Sequence, residues 1–168
     1  MRTRTRAVLW LTIPLLVIGL DLASKSLADH RLRLYEQLPL FGQWLVVSRV
    51  HNCGLMMGYY SNVPPGYVEW YVRTVPSLIL AALVGCVLLR ARAAGRWENA
   101  GYALLLAGCS ANLISEYRST CVTDILSLLL PTYHYLTFNV ADLAIVGGLA
   151  CIFLGALNLR RRAASECK

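Results

Sequence analysis

Four long apolar stretches take up about half of this 168-residue chain, and no other feature restricts its fold as much. They run over about 7–28, 70–89, 97–114 and 139–159, each close to the roughly 20 residues with which an α-helix crosses the hydrocarbon of a bilayer. A buried helix of a soluble protein can look the same, but only where other polypeptide covers it. Hydrophobic residues make up 57% of this chain and charged ones only 15%, far from the usual soluble balance, so little is left to do the covering. The expected fold is an all-α membrane protein, one integral membrane domain over 1–168 with four transmembrane helices.

Cytoplasmic flanks of membrane helices retain Lys and Arg. Arg2, Arg4 and Arg6 precede the first stretch, Arg90, Arg92 and Arg96 separate the second from the third, and Arg160, Arg161, Arg162 and Lys168 follow the fourth, ten of the 16 basic residues. The opposite flanks hold the other six together with seven of the nine acids. Both termini are therefore expected in the cytoplasm. The net charge of +7 does not point to nucleic acid, because the basic residues sit at helix ends with no aromatic-interleaved patch. Reading the first stretch as a cleaved signal peptide, with Ala23 or Ala28 near the cut, would leave three spans and an odd insertion of the flanking charges. Leu83-Val84-Gly85-Cys86 and Leu106-Ala107-Gly108-Cys109 have the form of a lipoprotein cleavage box but lie far from the N-terminus.

The outer connection over about 29–67 is too long for a tight turn and needs structure of its own. Trp44 to Val50 is rich in β-branched and aromatic residues, with Gly42, Asn52 and Gly54 at its ends, so a small extracytoplasmic β-sheet is expected between helices one and two. Pro64-Pro65-Gly66 ends it, and Tyr67, Trp70 and Tyr71 suit the interfacial aromatic belt. Cys86, Cys109 and Cys151 fall inside spans and read as small core residues. Cys53 and Cys121 both lie on the outer side, where oxidation is open to them, but sequence alone leaves their pairing undecided. No C-x-x-C pair and no zinc-type His spacing occurs, and His30, His51 and His134 sit outside the spans, so no metal is expected.

Polar residues in or near a membrane span carry functional weight, since each charge there costs roughly 2.5–3.5 kcal/mol on insertion scales. Those of this chain collect at the outer ends: Asp21 and Lys25, Arg73, Asn112 with Ser115 and Glu116, Asn139 with Asp142, and Asp124 in the last outer connection. Asp21 and Lys25 share a helix face four residues apart and read as a structural ion pair. A Ser–Lys nucleophile built from Ser24 or Ser26 with Lys25 fits poorly, because adjacent helical residues diverge by about 100°. Asp124 and Asp142 flank an outer hairpin that would bring both carboxyls to one pocket. Like charges a few ångströms apart cannot both ionise, which leaves one acid and one base, the chemistry of an aspartic peptidase. Capping explains the same residues: Thr123-Asp124 could start a short helix, and Asn139 with Asp142 has capping-box spacing. Spacing alone leaves the two readings open.

The chain resembles the lipoprotein signal peptidase (signal peptidase II) family over most of its length. Asp21 and Lys25 fit that family's D-x-x-x-K. Asn52-Cys53-Gly54-Leu55-Met56-Met57-Gly58 fits its N-x-G-x-x-F-G, with Met57 in place of Phe. Asn112 and Asp124 keep the spacing of its G-N-L-I-D-R and V-x-D segments, and Phe138-Asn139-Val140-Ala141-Asp142 is its F-N-x-A-D. The resemblance implies an intramembrane aspartic endopeptidase of the bacterial cytoplasmic membrane, with Asp124 and Asp142 catalytic and no cofactor. It implies that Asn52, Gly54, Asn112 and Asn139 bind substrate or orient the dyad. Its partners would be membrane lipid and a lipid-modified prolipoprotein cut before the diacylglyceryl cysteine, and the acting unit a monomer. Departures cluster at Ala111-Asn112-Leu113-Ile114-Ser115-Glu116, where an Asp and an Arg are replaced, and at Thr120 in place of Gly. Arg118 is the nearest basic residue in sequence to the lost one. These changes also suit a non-cleaving paralogue that binds precursors or peptide antibiotics, and intramembrane acids as such suit a proton-linked transporter subunit.

Overall fold

A computed structural model describes residues 3–53, 65–119, 121–131 and 135–166. Gly54, Met57, Thr120 and His134 lie outside the described residues, so the expectations placed on them are not addressed by the structure. Four helices carry the chain: α1 (Thr3–Arg31), α2 (Pro65–Arg90), α3 (Arg96–Ser119) and α4 (Val140–Glu166). Pro65 opens α2, where a missing N–H removes no helical bond. Glu98 Oε2 accepts from Gly95 N at 2.7 Å, and Asn99 Nδ2 donates to Ala94 and Gly95 carbonyls at 2.8 Å, which closes the start of α3.

Among the described residues, three segments are long and apolar enough to cross a membrane: Arg6–Arg31, Trp70–Arg90 and Val140–Asn158. They turn large apolar side chains outward, with Leu15 71%, Leu89 85% and Phe153 64% exposed, as a lipid-facing surface requires and a water-facing one does not. The chain is thus a multi-pass membrane protein. Helix α3 is less apolar because it packs against the other three helices and buries Asn99, Gly101, Ala103, Leu105, Ala107, Gly108, Ala111 and Ser115. Small residues let its partners approach. A Cβ on Gly101 would stand 2.6 Å from Gly148 O, and one on Gly108 would stand 2.5 Å from Ala141 O. Cys86 is exposed, and Cys109 and Cys151 are half-buried. The expected core role of Cys86 is therefore corrected: a residue on a lipid-facing helix surface needs no protein neighbour.

The sheet is larger than the sequence suggested. Strands β1 (Gln37–Phe41) and β2 (Leu45–Asn52) come from the first outer connection, but β3 (Val122–Leu129) and β4 (Tyr135–Phe138) come from the second, between α3 and α4. All pair antiparallel in the order β1-β2-β3-β4. A sheet confined between helices one and two is thereby corrected, as is a helix capped by Thr123-Asp124, since both residues lie in β3. The run Cys121 to Leu130 is continuously apolar apart from Thr123, Asp124 and Ser127, a pattern that does not separate strand from buried helix. Tertiary pairing with β2 decides it. A disulfide joins Cys53 to Cys121 and ties the end of β2 to the start of β3.

Register is what places the site. Val47 pairs with Leu126 but Val50 pairs with Asp124, so one extra β2 residue is accommodated between them. A bulge of this kind re-aims the side chains beyond it. In unbroken register Arg49 would stand opposite Asp124. Instead Arg49 Nε donates to Asp29 Oδ1 at 3.0 Å, where His51 and Thr123 also gather, and Asn52 turns to Asp124.

Candidate active site

Asp124, on β3, is 1% exposed. Asn139 Nδ2 donates to its Oδ1 at 2.8 Å, Thr137 Oγ1 to its Oδ2 at 2.8 Å, and Asn52 Nδ2 to Oδ2 at 3.4 Å. Asp142 stands in the first turn of α4. Its backbone N–H donates to Asn139 Oδ1, and its Oδ2 accepts from Asn139 N, both at 3.0 Å. That is a reciprocal capping box. The other oxygen, Oδ1, accepts from Asn112 Nδ2 of α3 at 2.9 Å. Capping and convergence of the two aspartates thus coexist, since Asn139 touches both carboxyl-bearing residues at once.

Behind Asp142 the network continues into α1. Lys25 Nζ donates to Asn112 Oδ1 at 2.8 Å and to Ser115 Oγ at 3.3 Å, and pairs with Asp21 Oδ2 at 2.7 Å. Asp21 Oδ1 accepts from Ala141 N at 2.9 Å. Asp21 and Lys25 are 0% and 5% exposed, so each neutralises the other in a dry setting. Four helical and strand elements therefore meet in one polar line: Asp21, Lys25, Asn112, Asp142, Asn139, Asp124. Asn52 joins it at the strand end.

Ser24 Oγ donates to the carbonyl of Asp21 at 2.9 Å and Ser26 is exposed, so neither forms a nucleophile with Lys25. Ser115 occupies the place of the lost aspartate, accepting from Lys25 and donating to Ala111 O at 3.0 Å. Glu116 is half-buried within electrostatic reach of Lys25 and Arg73, and Arg73 lies 5.6 Å from the Tyr117 ring centre. Arg118 is exposed, so the cations within reach of Glu116 are Lys25 of α1 and Arg73 of α2. Thr137 was missed by sequence reading; its one signal is a position two residues before Asn139 on a strand edge. Among the described residues no group of three His, Cys, Asp or Glu stands where a metal ion could be held. A cavity of about 210 Å³ adjoins the site, lined by His51, Asn52, Tyr135 and Thr137 among others.

Residues 13–158 match the family profile described as Signal peptidase (SPase) II. The chain belongs to the signal peptidase II family. Lipoprotein signal peptidases are similar to it along most of their length: that of Haemophilus ducreyi is 32% identical over 148 residues, covering 86% of this chain and 88% of the relative. That of Yersinia pseudotuberculosis is 28% identical over 150 residues, with 89% and 87% covered. That of Desulforapulum autotrophicum is 32% identical over 146 residues, with 86% and 90% covered. Two solved structures described as bacterial membrane enzymes share the fold. One has a TM-score of 0.75 at 20% identity, covering 93% of this chain and 89% of its own. The other has 0.71 at 19%, covering 92% and 94%. Membership of the signal peptidase II family agrees with the resemblance carried by the F-N-x-A-D segment.

Proposed function

We propose that this chain is an aspartic endopeptidase that removes signal peptides from diacylglyceryl-modified prolipoproteins, with Asp124 and Asp142 as its catalytic pair. The observation that carries the reading is Asn139, which holds Asp124 through its side chain and Asp142 through its cap in a chain of the signal peptidase II family. One aspartate, ionised, takes a proton from a water molecule as the water attacks the scissile carbonyl carbon. The other, protonated, donates to the carbonyl oxygen. Collapse of the tetrahedral intermediate then returns a proton to the leaving amine, the new N-terminus of the lipid-bearing cysteine, and frees the signal peptide as a carboxylate. Asn112 and Asn139 orient the pair, Asn52 approaches from the strand side, and Gly54 is assigned to substrate binding by the N-x-G-x-x-F-G resemblance alone. Asp21 and Lys25 hold α1 against the start of α4.

In this reading α3 is a fourth span, polar because three helices surround it, and the sheet lies outside the cytoplasmic membrane. The ten basic residues on the opposite flanks support that orientation, and a disulfide between Cys53 and Cys121 suits an oxidising outer compartment. The acting unit is a single chain, a reading supported by both aspartates having donors within one chain among the described residues. The test is cleavage of a lipidated precursor by the purified protein in lipid. Processing at the residue before the modified cysteine, insensitive to chelators and serine reagents, is the expected result. An intact precursor under conditions where the protein is folded would overturn the reading.

A further inference from the structure

Thr137 is part of no motif, yet its hydroxyl reaches Asp124 Oδ2 at 2.8 Å while Asn139 Nδ2 reaches Oδ1 at 2.8 Å. Both donors come from the three-residue segment Thr137-Phe138-Asn139, and they grip opposite oxygens of one buried carboxyl. A strand Thr can satisfy its hydroxyl on nearby backbone; this one bonds a carboxyl on the neighbouring strand instead. A carboxyl held at one oxygen still turns about its last bond, because torsions ending in a planar group have broad wells. Held at both oxygens it does not. Asn52 is a poor substitute, because at 3.4 Å its contact with Oδ2 is at the limit of a hydrogen bond.

We propose that Thr137 is a positioning residue for the hydrolysis: its hydroxyl sets the rotation of the Asp124 carboxyl, so that segment 137–139 fixes both oxygens of one aspartate and the cap of the other. The inference rests on the peptidase reading above. Its test compares purified wild type, Thr137→Val, Thr137→Ala and Thr137→Ser on a diacylglyceryl-modified precursor in the same lipid. Val and Ala are expected to lower kcat at least about tenfold with KM within about twofold, because the lost contact is to a reacting group rather than to substrate. Ser keeps the hydroxyl and is expected within about threefold of wild type. Using both Val and Ala keeps the test valid if one of them does not fold. Wild-type kcat in a folded Val or Ala variant, or an equal loss in Ser, overturns the positioning role and leaves the peptidase reading standing. Wild type that cannot cleave overturns the peptidase reading and this inference with it.

Discussion

At the scale of single residues, the two aspartates differ in what an Asn substitution would meet. Asp142 accepts from Asn139 N at one oxygen and from Asn112 Nδ2 at the other. Asn at 142 has one acceptor, so its NH2 would face a donor. Asn112 cannot turn to help, because its own oxygen is taken by Lys25. Asp124 Oδ2 meets the Thr137 hydroxyl, which can rotate and accept, and the Asn52 amide only at 3.4 Å, the limit of a hydrogen bond. Asp124→Asn is therefore expected to fold with near wild-type stability, and Asp142→Asn to lose about 1–3 kcal/mol, while neither cleaves precursor. Unfolding curves in matched detergent alongside a cleavage assay check both halves, and near wild-type processing by either variant would remove that residue from the catalytic pair. Lys25→Met strands a fully buried Asp21 and is expected to cost about 3–5 kcal/mol. Adding Asp21→Asn recovers part of it, because the amide oxygen still accepts from Ala141 N. Equal folded yields of the single and double variants would show the ion pair to be incidental.

At the scale of elements, α3 is the hub, and its glycines determine how closely α4 can lie. Gly108 is the one next to the chemistry, with Ala141 O and Ile145 Cγ1 at 2.5 and 2.8 Å from any added Cβ. Backbone cannot yield as a flexible side chain does, so Gly108→Ala has to push the first turn of α4 away from Asn112. The expected loss is about 1–3 kcal/mol of stability, as for other overpacked sites, with a fall in cleavage larger than that stability change explains. Gly147→Ala is the control, since a Cβ there meets nothing within 4 Å, and it is expected to match wild type in both measurements. Equal activity of the two variants would show that α4 tolerates the shift. The bulge in β2 acts at the same scale: one extra residue sends Arg49 to Asp29 and Asn52 to Asp124.

For the whole molecule, cysteines report orientation because thiol reagents need a water-accessible thiolate. In intact cells an impermeant maleimide is expected to leave the protein unlabelled until reduction, and then to react at Cys53 and Cys121, which are paired beforehand. Cys86, Cys109 and Cys151 sit within helices α2, α3 and α4 and should stay unlabelled. Cys167, beside the basic residues at the end of the chain, should react only after the membrane is opened. Labelling of Cys167 in intact cells would invert the proposed topology.

Composition and apolar run length determined, without coordinates, a membrane protein of long helices, because hydrocarbon admits few ways of satisfying a backbone. The motif residues Asp21, Lys25, Asn112, Asp124, Asn139 and Asp142 were legible for a related reason: charge and amide groups near a membrane stand out against an apolar background. What they touch was not legible. Whether Asn139 caps a helix or holds an aspartate looked like a choice in the sequence, and the fold lets its side chain and backbone do both. The strand at Val122–Leu129 was hidden because Thr123, Asp124 and Ser127 break its apolar run without a two-residue period, and only pairing with β2 reveals it. Thr137 was hidden because a lone threonine in a strand has no signature. Its role depends on a carboxyl that tertiary packing brings within 2.8 Å, and on a one-residue register shift that no local pattern encodes.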